Sequence, residues 1–280
     1  MIRFADSSMI TTLKEIWQEA FGDSRAYTDF VYANLFTPDN TLVWVEDNHP
    51  VAMMTLLPAT IHTAAGLCAA RYVYGVATRR THRGQGLSSA LIRYANDLAD
   101  QRDEAMVLVP SDSGLFEFYQ KNGYHTAFYY KQLIIEKEQI DKYPRQSLPL
   151  YEPDARQYET MRVACFGRHG YVSWDEHAID YRLRENAFAG GRCAMLTHGG
   201  DDYLVLYHTT GDTLFVKETT LPEHNILPVL ASLAAQLGCN RVQARLPEWL
   251  DLPLEPKPFG MLYAKTPIEA AHPYLNLVLD

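Results

Sequence analysis

The sequence predicts a mixed α/β fold, and three observations carry this prediction. Three strand-like runs precede a glycine-containing loop, and strand-like and helical runs alternate after it. The same order of runs recurs beyond a polar, proline-containing stretch. With 280 residues, of which 47% are hydrophobic, the chain can bury a substantial core without disulfides.

The first half is predicted to run helix, helix, three strands, helix, strand, helix, strand. Ser7 and Ser8 are expected to cap a helix with apolar residues three and four apart that stops at Gly22. A second helix is expected to end at Thr37-Pro38. The following runs are the hairpin TLVWVE-DNHP-VAMMTLLPATI, the strand ARYVYGVAT, a helix over 87–99, the strand AMVLVP, a helix around GLFEFYQKNGY and the strand TAFYYKQLIIE.

The second half repeats part of this order. DEHAIDYRLREN is expected to be helical, RCAMLTH, DYLVLYH and TLFVKETT to be strands, ILPVLASLAAQLGC helical, and NRVQARLP a strand. The polar stretch from KEQIDKYPRQ onward is typical of a domain junction. We therefore predict two domains, 1–140 and 146–280, related by a degenerate duplication. Two unrelated α/β domains of similar appearance are the alternative.

Composition excludes several classes of protein. The net charge of −9 and pI of about 5.6 argue against a broad nucleic-acid or anionic-membrane surface. Four separated cysteines suggest neither a disulfide framework nor a zinc site, and no histidine motif for a metal occurs, so no metal is expected. Without a signal-like or 18-residue apolar segment, a cytoplasmic protein is expected.

The stretch VATRRTHRGQGLSS, residues 76–89, is a local exception to the acidic composition. It places three arginines and a histidine before two glycines at the start of a predicted helix. Helix N-termini expose unpaired N–H groups, and glycines allow both close approach and positive φ. Arg83 would add a cation for further phosphate oxygens. The stretch is predicted to hold a polyphosphate.

Three other interpretations of this stretch are weaker. A P-loop requires a lysine, and none occurs between Gly66 and Lys121. A dinucleotide fingerprint would have Ser89 in the place of its third glycine, and the loop follows three strands rather than one. The third interpretation is a simple glycine turn next to a run of charged residues that face solvent.

Arg83-Gly84-Gln85-Gly86-Leu87-Ser88 resembles the [RQ]-x-x-G-x-[GA] pyrophosphate loop of the GNAT superfamily of acyl-CoA-dependent N-acyltransferases. Ser88 departs from the usual glycine or alanine but is also small. Downstream, LFEFYQKNGY resembles the family's aromatic-Tyr-x-x-x-Gly-aromatic segment, with Tyr119 in the tyrosine position. The resemblance is strong over residues 70–130 and weak in the second half.

The resemblance implies a GNAT fold followed by a second, degenerate GNAT-like domain, with acetyl-CoA as co-substrate. It implies that the backbone of Val76, Ala77 and Thr78 pairs with the pantetheine arm. The Arg83 side chain and the backbone amides of the loop would bind the pyrophosphate. These are the amides of Gly84, Gln85, Gly86, Leu87, Ser88 and Ser89.

The resemblance also assigns Tyr119 as the proton donor to the leaving thiolate. The base is less clear, with Glu46, Tyr72 and Tyr74 as candidates from the strands. Multidomain GNATs of the enhanced-intracellular-survival type, which share the letters THR before the loop, place their C-terminal carboxylate in the active site. By this resemblance Asp280 is a further candidate for the base.

The leading functional prediction is an acetyl-CoA-dependent N-acetyltransferase acting on a small-molecule or protein amine, without nucleic acid or membrane partners. One alternative is a catalytically silent acyl-CoA-binding regulatory module. Another is an aminoacyl-tRNA-dependent transferase, which the acidic pI disfavours. The oligomeric state is left open, a homo-oligomer included.

Overall fold

The computed structural model describes residues 1–167, 170–268 and 273–277. The first half contains β1 (Ile2–Phe4), α1 (Ile10–Phe21), α2 (Arg25–Asn34), β2 (Thr41–Glu46), β3 (His49–Thr63), β4 (Gly66–Thr78), α3 (Leu87–Arg102), β5 (Ala105–Leu108), α4 (Ser113–Gln120), β6 (His125–Ile135) and α5 (Lys137–Ile140). The second half contains β7 (Leu150–Tyr151), α6 (Ala155–Phe166), β8 (Tyr171–Ser173), α7 (Glu176–Phe188), β9 (Arg192–His198), β10 (Asp201–Thr210), β11 (Thr213–Thr219), α8 (Glu223–Gln236), β12 (Arg241–Pro247) and β13 (Pro256–Tyr263).

One mixed sheet runs through the described part of the chain, in the order β1-β2-β3-β4-β5-β13-β6-β12-β11-β10-β9-β7, with β8 beside β3. The pairs β4–β5 and β11–β12 are parallel. Each parallel pair is joined by a crossover helix, α3 in the first half and α8 in the second. The predicted mixed α/β class is confirmed.

The strand order repeats within this sheet, with an exchange between the halves. The series β1-β2-β3-β4-β5-β13 and the series β7-β9-β10-β11-β12-β6 have the same sequence of neighbours. In each series the last strand comes from the other half of the chain. Strand β13 pairs antiparallel with both β5 and β6, while β6 pairs antiparallel with β12. The division into domains 1–140 and 146–280 stays a prediction, and strands are exchanged across that boundary.

Helix α1 illustrates how the local sequence sets an element. Leu13, Ile16 and Trp17 lie on its buried face, and Gly22 ends it with a φ of 74°. The prediction of Ser7 and Ser8 as caps was wrong. Asp6 accepts a hydrogen bond from the Ser8 N–H at 3.0 Å and starts a 3₁₀ turn, from which the helix begins at Ile10.

The helices cover both faces of the first half of the sheet. Helix α3 packs through residues such as Leu91 and Ile92 onto one face, and α1 packs through Leu13 and Ile16 onto the other. Helix α8 covers one face of the second half in the same way as α3. No helix in the described ranges is long and apolar enough to cross a membrane.

Candidate active site

The loop between β4 and α3 has the backbone conformation that its glycines predicted. Gly84 and Gly86 have φ values of 76° and 77°, which side-chain-bearing residues rarely adopt. A Cβ added at either position would meet no atom within 4 Å, so the space beside both glycines is open. Gln85 between them is exposed, and α3 begins at Leu87, whose side chain is buried. First-turn N–H groups have no acceptor within a helix, so they are available to a ligand.

Side chains tether this loop to the surrounding elements. The hydroxyls of Thr78 and Ser88 lie 2.9 Å apart, which joins the end of β4 to the first turn of α3. Arg83 donates from Nε to the Thr78 carbonyl at 3.1 Å, and its guanidinium lies at the exposed loop. Asn122 donates to the Ser89 hydroxyl at 3.4 Å. Contacts through their hydroxyls therefore hold two of the predicted loop residues, Ser88 and Ser89, in place.

Two other basic residues of the stretch, Arg79 and His82, contact carboxylates of the protein itself. Arg79 makes ion pairs with Glu15 at 2.8 Å and Glu19 at 3.7 Å on α1. The His82 ring lies 3.7 Å from Glu46 at the end of β2. Arg79 thus attaches the loop to α1, and Arg83 is the better candidate for a phosphate contact.

Strands β4 and β5 separate where the pantetheine arm was predicted. Their parallel pairing ends at Tyr72 and Val107, whereas β4 continues to Thr78. Val76, Ala77 and Thr78 therefore lie on β4 beyond the last pair with β5. A strand edge that leaves its neighbour in this way can pair with an extended ligand.

Gly75 was not singled out from the sequence, yet it shapes this part of β4. The pairing of β4 with β3 shifts register opposite it, which indicates a β-bulge. Gly75 has a φ of 62°, and a Cβ there would lie 2.6 Å from the Trp17 ring. A glycine inside a strand-like run is the sequence signal for such a bulge.

A cavity of about 530 Å³ opens beside the separated strands. Tyr119 from α4 and Val76 from β4 line it, so two predicted site residues meet here. Two carboxylate-bearing residues, Asp23 and Glu185, line it as well. Its remaining walls are largely aromatic: Trp17, Phe21, Tyr27, Tyr72 and Tyr74. Neither carboxylate was predicted.

Tyr119 is 7% exposed and packs against the rings of Phe118 and Tyr124. Burial raises the pKa of its phenol to about 12. The side chain is therefore protonated at neutral pH and can act as a hydrogen-bond donor.

Glu185 belongs to α7 in the second half of the chain, and its carboxylate is largely buried. Its Oε1 accepts a hydrogen bond from the Tyr27 hydroxyl at 2.9 Å, and Tyr27 also hydrogen-bonds with Tyr74. Burial, followed by the nearby Glu185 charge, raises the pKa of Tyr27. The second half thus contributes a fixed carboxylate to a cavity built mainly by the first half.

Asp23 follows the end of α1. Its Oδ2 accepts a hydrogen bond from the Trp17 indole N–H at 2.7 Å. The same indole blocks any side chain at position 75. Trp17 therefore orients one carboxylate of the cavity and packs against the bulge.

The predicted base candidates fall in different places. Tyr72 and Tyr74 line the cavity, and burial raises the pKa of Tyr74 well above its usual value. Glu46 instead accepts from the Trp44 indole at 2.8 Å and faces His82, so it is not among the lining residues. Asp280 lies outside the described residues.

Comparison with known proteins assigns the first half of the chain. A family model described as an acetyltransferase (GNAT) domain matches residues 1–127. These residues form a GNAT domain. A search of curated proteins finds no match.

Solved structures extend the likeness in fold over most of the chain. A GCN5-related N-acetyltransferase from Kribbella flavida superimposes with a TM-score of 0.72 and 15% identity, covering 94% of this chain and 71% of that one. Eis1 from Mycobacterium abscessus gives 0.65 and 14%, covering 94% and 73%. A putative acetyltransferase from Pyrococcus horikoshii gives 0.57 and 13%, covering 100% and 95%.

The GNAT domain supports acyl transfer from an acyl-CoA as the class of reaction. Both motifs that carried the sequence resemblance, the glycine loop and the Tyr119 segment, fall within residues 1–127. Within the described ranges, no group of three histidine, cysteine or acidic side chains is arranged to hold a metal ion.

Proposed function

We propose that the chain is an acetyl-CoA-dependent N-acetyltransferase that transfers the acetyl group directly to a primary amine. The observation that carries the proposal is the cavity that brings together Val76, Tyr119 and Glu185 at the separation of β4 and β5. Val76 borders the proposed thioester channel, Tyr119 offers a phenol, and Glu185 offers a carboxylate. A phenol can serve acyl transfer to an amine as hydrogen-bond donor to the leaving group, and a carboxylate can serve it as base.

In the proposed cofactor site, the loop N–H groups from Gly84 to Ser89 and the Arg83 guanidinium bind the pyrophosphate. The β4 backbone at Val76, Ala77 and Thr78 hydrogen-bonds the pantetheine amides. The open space over both loop glycines supports this assignment, since a phosphate needs that room.

In the proposed reaction the neutral amine attacks the thioester carbonyl carbon. The C–N bond forms, the C–S bond breaks, and the nitrogen loses one proton to solvent, which leaves the CoA sulfur as a thiolate. Tyr119 donates a hydrogen bond to the leaving sulfur. A phenol pKa of about 12 against about 8.5 for a free thiol favours stabilisation of the thiolate by that hydrogen bond over complete proton transfer.

Two carboxylates are proposed for the amine side of the reaction. Glu185, held by Tyr27, would attract the ammonium form and accept its proton, and Asp23 would add negative charge at the same cavity. The terminal carboxylate at Asp280 stays a second proposal for the base. Glu185→Gln and a chain lacking Asp280 separate the two, since only the true base should show a large loss of kcat.

The test is a release assay for free CoA, run with acetyl-CoA against a panel of small primary amines and lysine peptides. The proposal expects amine-dependent release of CoA together with formation of the acetylated amine. Tight binding of acetyl-CoA without release for any amine would instead support a silent acyl-CoA-binding module. Preference for NAD over acetyl-CoA in a parallel titration would overturn the cofactor assignment.

A further inference from the structure

A second cavity, of about 770 Å³, lies beside the connection from β5 to α4. That connection, α4, β6 and β13 contribute most of its lining. The more buried lining residues are apolar: Pro110 and Phe259 are buried, and Val109 and Phe116 are half-buried. The volume lies within the range of small-molecule sites. We call it the apolar cavity.

Two charged residues line the apolar cavity within the described ranges, and both contact groups of the protein. Asp112 accepts hydrogen bonds from the backbone N–H groups of Gly114 at 2.8 Å and Leu115 at 3.2 Å, so its carboxylate caps α4. Arg245 donates from Nη1 to the Asn276 amide oxygen at 3.2 Å. Because both charged groups have partners in the protein, contact with hydrocarbon is the main interaction that the cavity offers to a ligand.

A β-bulge sets the aromatic wall of this cavity. The pairing of β13 with β6 shifts register between Pro258 and Gly260, which places Phe259 at the bulge. The Phe259 ring packs edge-on against Tyr130, with centroids 5.5 Å apart and planes at 70°. The guanidinium carbon of Arg245 lies 4.3 Å from the centre of the Phe259 ring. These contacts within the protein hold the wall in position without a ligand.

Helix α4 faces both the apolar cavity and the cavity lined by Tyr119. Leu115 and Tyr119, four residues apart, line the Tyr119 cavity. Phe116 and Gln120, each one residue further along, line the apolar cavity. Residues four apart lie on the same side of a helix, so α4 presents two neighbouring sides to the two cavities.

The two cavities also meet at the end of β5. Val109 and Ser111 line both of them. Val109 directly follows β5, at the edge where β4 and β5 have separated and where the thioester channel is proposed. A chain attached to a thioester carbonyl in that channel would therefore reach the apolar cavity by passing Val109.

We propose that the apolar cavity holds the hydrocarbon chain of a longer acyl-CoA, so that the chain transfers medium-length acyl groups as well as acetyl. This inference rests on the proposed function, which places the thioester beside Tyr119. The bonds that form and break are those given above, with a longer chain on the same carbonyl carbon. An acetyl methyl group leaves the apolar cavity unfilled, whereas a hexanoyl or octanoyl chain buries CH₂ groups against its apolar residues, which favours binding.

Calorimetric titration of the full chain with acetyl-CoA, butyryl-CoA and octanoyl-CoA tests the proposal. Affinity should rise with chain length, by up to roughly four-fold for each CH₂ group that is buried. Octanoyl-CoA that binds no tighter than acetyl-CoA would overturn this inference and leave the proposed function intact. Absence of binding by all three would overturn both.

Thr126 on β6 lines the apolar cavity and is half-buried, so Thr126→Trp places an indole ring in it. The ratio of the affinities for octanoyl-CoA and acetyl-CoA should then fall toward one. His125→Trp adds the same ring at the exposed neighbouring position, on the other face of β6, and is the matched control that should keep the parent ratio. If Thr126→Trp fails to fold, Gln120→Trp at the exposed end of α4 replaces it and should also lower the ratio. A parent-like ratio in the folded variant would contradict the proposal.

Steady-state kinetics distinguish the acyl chain from the acceptor amine as the occupant of the apolar cavity. Release of CoA is measured with acetyl-CoA and octanoyl-CoA against the same amine. Thr126→Trp should lower kcat/KM for octanoyl-CoA far more than for acetyl-CoA. A rise in the KM for the amine that is the same with both acyl-CoAs would assign the cavity to the acceptor and overturn the proposal.

Discussion

Tyr119 presents a protonated phenol to a cavity that also contains a carboxylate from the opposite half of the molecule. Tyr119→Phe keeps the ring packing and removes only the hydroxyl. We expect kcat for acetyl transfer to fall by roughly 10²–10⁴-fold with little change in the Kd for acetyl-CoA. Tyr94→Phe, at an exposed position on α3, should leave kcat unchanged. An unchanged kcat in Tyr119→Phe would remove this residue from the mechanism.

Arg83 is the residue whose charge should matter most at the glycine loop. Arg83→Ala should weaken the binding of CoA by about 1–3 kcal/mol, because a charge-assisted contact with the pyrophosphate is lost. Arg93→Ala removes an exposed arginine of the following helix, α3, and is the control. Calorimetry measures both, and equal affinities for the two variants would contradict the assignment of the loop.

Gly75 lies where β4 packs against the Trp17 ring of α1. Gly75→Ala places a methyl group 2.6 Å from the Trp17 ring and forces a positive φ on alanine. We expect a loss of about 1–3 kcal/mol in the free energy of unfolding from overpacking, measured by urea denaturation. Gly167→Ala is the control, since its φ is −56° and its added Cβ would meet Val163 at an ordinary 3.9 Å. Similar stabilities for both variants would mean that the bulge tolerates a side chain.

A buried ion pair connects α6 to β11. Arg162 and Glu218 are both fully buried and lie 3.0 Å apart, and the Tyr158 hydroxyl donates to the same carboxylate oxygen at 2.6 Å. Arg162→Met should cost about 3–5 kcal/mol of unfolding free energy, because it leaves a buried carboxylate unpaired. The double variant Arg162→Met/Glu218→Leu should recover a good part of that loss. Additive losses in this double-mutant cycle would contradict strong coupling between the two charges.

Elements with strong local signals could be predicted, and elements that depend on distant partners could not. The sequence predicted the loop at Gly84 and Gly86 and the helix α3, because two glycines precede a run of apolar residues with helical spacing. Strands β1, β7 and β8 have three residues or fewer, too short for an alternating pattern. Helix α6 was missed because Arg162 occupies a buried position in a polar-looking stretch. Two prolines within β13 made that segment look unlike a central strand.

The candidate site was predictable to a similar extent. Tyr119 and the loop have sequence motifs of their own. Glu185 stands in a highly charged helix and becomes a site residue only through its contact with Tyr27, 158 residues earlier. No local pattern encodes such a contact. The bulge at Gly75 could have been found, since an isolated glycine interrupts a strand-like run.

Across the whole molecule, buried tyrosines should make stability sensitive to alkaline pH. Burial raises the pKa of Tyr119 and of Tyr171 to about 12, and that of Tyr124 well above its usual value. In the unfolded chain these phenols titrate near 10. The folded state therefore binds more protons above that pH, and stability falls as pH rises. Their contribution is complete below about pH 10 and is lost progressively through about pH 12.

Urea denaturation at several pH values between 8 and 11 checks this prediction. The free energy of unfolding should decrease above about pH 10, and Tyr124→Phe should make the decrease shallower. Tyr151→Phe, at an exposed position, should leave the slope as it is. A free energy of unfolding independent of pH over this range would contradict the expected role of the buried phenols.

The exchange of β6 and β13 also has a consequence for biosynthesis. Strand β5 lies between β4 and β13 in the sheet, and β13 ends at Tyr263. A nascent chain that has just completed the glycine loop and α4 therefore cannot finish this sheet. At typical elongation rates the strand arrives on the order of ten seconds later. Until then β5 has an unpaired edge, which is where nascent-chain chaperones would be expected to act.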